Sequence, residues 1–159
     1  MYVYNYTNIY NNTATGYDGG IHTDGMDVII TNNVMDFQCQ GIHSYYPNGS
    51  HRYENNTFDR ILGVNNQHNS DNCWAMYTTN TGDSLTISGN IFTAEDNTGG
   101  SSLHIEHDNG YDYVDVSNNI FESTFRSAYL KKLDNIDIHH NIFRLKRFQH
   151  NDDFYGIRF

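Results

Sequence analysis

The tripeptide Gly-Ile-His occurs at 20–22 and again at 41–43, and Asp24 and Tyr45 each follow two residues after one of these histidines. In extended chain the side chains alternate between faces, so His22 would share a face with Asp24, and His43 with Tyr45. Histidine titrates near neutrality and can take or give a proton, a carboxylate can orient it, and a tuned tyrosine can act as an acid. His22, Asp24, His43 and Tyr45 are therefore the candidate catalytic residues, in a combination suited to proton transfer. Asp24 and Asp27 also offer the hard oxygen ligands that Ca²⁺ prefers. No other cofactor is called for. Tyr46 and Tyr77 would present ring faces on which a ligand can pack.

For these residues to meet, the chain must return to the same place at regular intervals, and its repeat does this. Segments beginning at Val3, Val28, His51, Leu85, Val114 and Ile136 follow the pattern apolar-x-apolar-x-x-Asn-x-aromatic, with slips at Asn5, Met35 and His51. The anchoring asparagines are read as 8, 33, 56, 90, 119 and 141, in steps of 25, 23, 34, 29 and 22 residues. Period-two alternation is strand periodicity. The Asn that follows tolerates left-handed backbone and bonds local backbone through its amide. One such coil cannot bury its apolar face, but stacked coils can, and like residues then form columns. The expected fold is an all-β, right-handed parallel β-helix of about six to seven coils, with an internal Asn ladder and a stack of Phe58, Phe92, Phe121 and Phe143.

A second short strand is expected in each coil, at 20–23, 41–44, 63–66, 103–107, 128–131 and 156–159, with Trp74–Thr78 as an extra strand. On that reading His22 and His43 are outward neighbours, Asn65 follows them, and His104, Glu106 and Lys131 extend the strip as substrate-binding residues beside Tyr46 and Tyr77. Arg158 would close it. Zinc is not expected at 104–107, because only alternate strand residues share a face. The bland alternative for His22 and His43 is an ordinary solvated surface.

The 159 residues are read as one β-helix domain, expected to be a segment of a longer helix or to meet further coils or protomers at its open ends. Apolar residues are only 37%, compensated by 13 Tyr and 9 Phe. The net charge of −10 argues against nucleic acid as partner. No apolar run is long enough to span a membrane as a helix. Cys39 and Cys73 could form one bridge or remain two buried thiols.

With its Asn-x-Phe coils in view, the chain resembles the pectate-lyase-like superfamily of single-stranded right-handed β-helices. The resemblance implies a polysaccharide or oligosaccharide partner and an extracellular or cell-surface setting, and the residues themselves fix no compartment. It also implies one of several activities: polysaccharide lyase, uronan epimerase or glycoside hydrolase. Its non-catalytic members include glycan-binding tailspike or adhesin segments, and a purely structural solenoid is the third reading. Locally, His22-Thr-Asp-Gly-Met-Asp27 is similar to the Asn-Thr-Asp-Gly-Ile-Asp signature of polygalacturonase-type hydrolases, in which the first Asp is catalytic, so Asp24 would inherit that role. The family's adjacent Asp pair is replaced here by Cys39-Gln-Gly-Ile-His43, and inverting hydrolysis needs two flanking carboxyl groups.

Overall fold

An alternating strand leaves its apolar side chains uncovered until the next coil stacks on it. In the computed structural model that stacking builds a right-handed parallel β-helix. It is described over residues 2–3, 6–16, 20–36, 39–45, 49–61, 73–79, 82–94, 101–106, 111–122, 126–131, 133, 135–145 and 155–159. Each coil contributes one strand to each of three sheets. Sheet 1 holds Tyr2–Val3, Ile21–Thr23, Gln40–Tyr45, Trp74–Thr79, Ser101–Glu106, Arg126–Lys131 and Tyr155–Arg158. Sheet 2 holds Thr7–Tyr10, Val28–Thr31, Ser50–Glu54, Gly82–Ser88, Tyr111–Ser117 and Ile136–His139. Sheet 3 holds Thr13–Thr15, Val34–Asp36, Thr57–Ile61, Ile91–Ala94, Ile120–Glu122 and Ile142–Arg144. Neighbouring coils pair in parallel throughout the described strands.

The core is a set of columns. Ile42, Met76 and Leu103 line up in sheet 1, and Ile30, Ile87 and Val116 in sheet 2, all at or below 1% exposure. In sheet 3, Phe58, Phe92, Phe121 and Phe143 stack with centroids 4.8, 4.9 and 4.8 Å apart and planes within 4° of parallel. Met35 continues that column by pairing with Phe58.

The corner between sheets 2 and 3 carries the ladder. Its members are Asn12, Asn33, Asn56, Asn90, Asn119 and Asn141. Each Oδ1 from Asn33 onward accepts the backbone N–H and the side-chain amide of the preceding member, at 2.9–3.1 Å for Asn90 and 2.9–3.0 Å for Asn119. Each amide nitrogen from Asn33 onward also donates to a sheet 2 carbonyl, such as Ile30 O from Asn56 and Tyr53 O from Asn90, both at 2.8 Å.

Two expectations are corrected here. The first rung is Asn12, not Asn8, which is exposed within a sheet 2 strand and pairs with Ile29. The Val3-Tyr4-Asn5 stretch imitates the apolar-x-apolar pair, but Tyr6 turns at φ 33° and Ile9 is the residue that enters the core. The left-handed backbone also falls one residue before each ladder asparagine, at Asn11, Asn32, Asn55, Gly89, Asn118 and His140. The first residue of each pair thus makes the turn, which frees the second to point inward and form the ladder.

The corner from sheet 3 into sheet 1 is built from small residues. A Cβ on Gly20 would lie 2.6 Å from Gly41 O, and one on Gly41 would lie 2.7 Å from both Ala75 O and the Phe58 ring. Ala75, Ser102 and Ser127 follow in register, all at or below 1% exposure. The Phe stack fills the space that a larger side chain would need. Beside this corner a disulfide joins Cys39 to Cys73 across adjacent coils, the alternative of the two that the sequence left open.

Candidate functional site

The outer face of sheet 1 collects most of the residues with chemistry. Parallel register places His22 beside His43, His43 beside Tyr77, Tyr77 beside His104, His104 beside Tyr129 and Tyr129 beside Arg158. Their side chains follow that order. Ring centroids are 5.1 Å apart for His22–His43, 4.9 Å for His43–Tyr77, 4.6 Å for Tyr77–His104 and 4.8 Å for His104–Tyr129. The Arg158 guanidinium carbon lies 5.8 Å from the Tyr129 ring centre, within cation–π range. A second column runs beside the first, in which Tyr45, Thr79, Glu106 and Lys131 are in register.

At one end of the strip, His22 Nε2 donates to Asp24 Oδ1 at 3.0 Å, with both side chains partly exposed. A carboxylate only accepts, so the contact fixes a proton on Nε2. The Tyr45 ring lies 4.4 Å from His43 and 6.0 Å from His22, and the residue is 38% exposed. His43 is held differently. Its Nδ1 meets Gln40 Oε1 at 2.9 Å, while its Nε2 is buried with no hydrogen-bond partner among the described residues. Burial, with the nearby His22 adding to it and Asp24 opposing, lowers the His43 pKa to about 4. The ring is therefore neutral at physiological pH, with its free lone pair shielded from solvent.

Farther along, His104 Nε2 bonds Glu106 Oε2 at 3.2 Å, and Lys131 pairs with the other oxygen of Glu106. The Lys131 hydrogen bond is the main cause that holds the Glu106 carboxyl below its usual range. Burial pushes the His104 pKa down against the pull of Glu106. It also pushes the Tyr77 hydroxyl up, with Tyr45 adding to the effect. Trp74 meets the His104 ring edge-on at 4.8 Å and closes the strip on one side.

His22, Asp24, His43, Tyr45, Tyr77, His104, Glu106 and Lys131 thus share one face. Asn65 and Tyr46 lie outside the described residues. The expected place of 63–66 as the third coil of this sheet is corrected. Trp74–Thr79 pairs with Gln40–Tyr45 on one side and Ser101–Glu106 on the other. The step to the next rung is long because an insertion precedes Trp74, and Val64 mimicked the inward residue that Met76 supplies. Gln40, Trp74 and Tyr129 belong to the strip and were not singled out from the sequence. Tyr129 was legible there, two residues before Lys131 on the same face.

The Asp24–Asp27 pair expected for Ca²⁺ is divided between two other tasks. Asp24 orients His22. Asp27 Oδ1 accepts the Ser50 backbone N–H at 2.7 Å, and its carboxylate abuts Gly49, where a Cβ would lie 2.5 Å from Oδ1. Among the described residues no three His, Cys, Asp or Glu side chains converge as metal ligands. The chain matches no protein-family model, no curated protein and no solved structure.

Proposed function

We propose that the outer face of sheet 1 binds a polysaccharide lying along the helix axis. The observation that carries this reading is the in-register column His22, His43, Tyr77, His104, Tyr129 and Arg158. Strands lie about 4.8 Å apart, so the column repeats a ring or a polar group at a spacing comparable with one sugar unit. Half-buried rings offer apolar faces, while Asp24, Glu106, Lys131 and Arg158 supply the few polar groups that orient a sugar. Resemblance to the pectate-lyase-like β-helices supports the same partner. Binding is favoured over turnover by His43, whose Nε2 is buried and bonded to no group among the described residues. A catalytic reading, lyase-like or epimerase-like, rests on the His22–Asp24 contact of 3.0 Å beside the exposed Tyr45.

Calorimetry against a panel of neutral and acidic polysaccharides tests the binding reading, with absorbance of unsaturated uronate products followed in parallel. The expected result is affinity for at least one glycan that falls about tenfold or more in Tyr77→Ala, the cost of one lost stacking and burial contact. A panel without any binder, or a binder indifferent to Tyr77→Ala and His22→Ala alike, would remove the proposal. Product formation abolished by Asp24→Asn would select the catalytic reading.

A further inference from the structure

In sheet 2, the column containing His51 is otherwise Thr7, Val28, Leu85, Val114 and Ile136, and the column containing Tyr53 is otherwise Ile9, Ile30, Ile87, Val116 and Ile138. Apart from the partly exposed Thr7, His51 and Tyr53 are the polar members of two otherwise apolar columns, and both are fully buried. A buried polar group is costly unless it is bonded, and these two are bonded in a directed chain. Thr23 Oγ1 donates to Ser44 Oγ at 3.0 Å. Burial raises the Tyr53 hydroxyl, and hydrogen bonding from the Ser44 side opposes that rise, which leaves the Ser44 hydrogen for the Tyr53 oxygen, while His51 Nδ1 lies 2.9 Å from that hydroxyl. His51 Nε2 lies 3.1 Å from Gly25 O. A carbonyl only accepts, so Nε2 carries the proton and neutral His51 takes the Tyr53 hydrogen at Nδ1. The chain begins on the side chain of Thr23 and ends on the carbonyl of Gly25. These two residues flank Asp24.

We propose that His51 and Tyr53 are positioning residues. Through this buried loop of hydrogen bonds they fix the turn that holds the Asp24 carboxylate against His22. Two further contacts complete the clamp: Tyr6 N–H donates to Met26 O at 2.7 Å, and Ser50 N–H to Asp27 Oδ1 at 2.7 Å. A histidine at position 51 places a ring donor at the depth of the turn, which the aliphatic residues that flank it in its column, Val28 and Leu85, cannot do. Both fall in the one coil next to the turn, and the same columns are apolar from Leu85 and Ile87 onward.

The importance of this turn to a ligand rests on the glycan reading, so the test is made on the unliganded protein and does not depend on it. Nitrogen-15 spectra of the His22 ring report its tautomer, and amide exchange at Tyr6 reports the turn. Exchange at Asn119 and Ile142 reports the ladder farther along the stack. In His51→Leu and Thr23→Val, His22 is expected to pass from one Nε2–H tautomer to an average of both. Tyr6 exchange should rise about tenfold, as for loss of one buried hydrogen bond, with the ladder amides unchanged. His51→Gln, which returns a donor toward Gly25 O, should restore the parent spectrum. If His51→Leu does not fold, Tyr53→Phe, which removes a single oxygen, makes the same test. Unchanged His22 signals in a folded Tyr53→Phe or Thr23→Val protein would overturn the proposal. So would ladder amides accelerating in step with Tyr6, which would mark a merely structural role.

Discussion

His43 occupies a surface column, yet its environment resembles that of a core residue. One ring nitrogen is tied to Gln40, and the other is covered by the neighbouring rings. Desolvation lowers its pKa from the usual 6.5 to about 4, which links the residue to pH. Below pH 6.5 the unfolded chain binds a proton that the folded chain refuses until about pH 4, so the unfolded state gains protons first. The stability associated with His43 is therefore complete above pH 6.5 and is lost as the pH falls toward 4. Urea midpoints measured across that window should decline toward the acid side, and His43→Phe, which keeps a ring in the column, should flatten the decline. An equal slope in parent and variant would place the acid sensitivity elsewhere. The pairing of His22 with His43 was legible in the sequence, because the Gly-Ile-His spacing matches one coil. The burial of the His43 nitrogen was not, since it depends on Tyr45 and Tyr77 closing over the ring from the same coil and the next.

At the scale of elements, each coil is a strand, a left-handed turn residue, a ladder asparagine, a second strand, a tight corner and a third strand. The apolar-x-apolar-x-x-Asn-x-Phe pattern identified the first two strands and the ladder, because burial on one side forces that alternation. It failed at its first repeat, and the reading of the second strands failed once for the same physical reason. Residues 3–8 have the right alternation, as do 63–66, which the second-strand reading chose and which lie outside the described residues. Local alternation cannot reveal which of two similar segments the adjacent coil selects, and in the third coil of sheet 1 that segment is Trp74–Thr79. The tight corner had no signal of its own in the sequence beyond its glycines, and the geometry explains it. Gly41→Ala would bring a methyl group to 2.7 Å from the Phe58 ring and from the Ala75 carbonyl. Both neighbours are packed, so the expected cost is about 1–3 kcal/mol, as for other overpacked cores. Ala75→Gly, in the same column, introduces no overlap and should cost about 1 kcal/mol or less through backbone entropy. Urea unfolding of the two variants checks the order, and a milder effect for Gly41→Ala would mean that the Phe stack can shift to accommodate it.

For the whole molecule, the stacking makes stability nearly one-dimensional, because each coil contacts only the coils on either side. A substitution should then be judged by how many neighbours it disturbs, and the ladder allows that to be tested with one residue type. Asn90 is fully buried. Its Oδ1 accepts from the backbone and side chain of Asn56, and its amide donates to Tyr53 O and Asn119 Oδ1. Asn90→Leu fills the space but leaves the buried Asn56 backbone N–H unmet and takes one partner each from the Asn56 amide, Tyr53 O and Asn119 Oδ1, on both sides of the rung. At roughly 1–3 kcal/mol for each unsatisfied buried group, the expected loss is about 3 kcal/mol or more. Asn12 belongs to the same ladder but is exposed, and its described ladder contacts all run toward Asn33. The group that Asn12→Leu would strand is Asn33 Oδ1, which loses its side-chain donor but keeps the Asn12 backbone N–H at 2.9 Å. The cost there should be about 1 kcal/mol or less. Urea midpoints of the two variants, with amide exchange to locate any local opening, decide the matter. Comparable losses at both positions would mean that the coils unfold as a single block in which the place of a rung along the stack does not matter. A large gap would show that each rung counts according to the neighbours it joins, with the strip on sheet 1 held most firmly at its central coils.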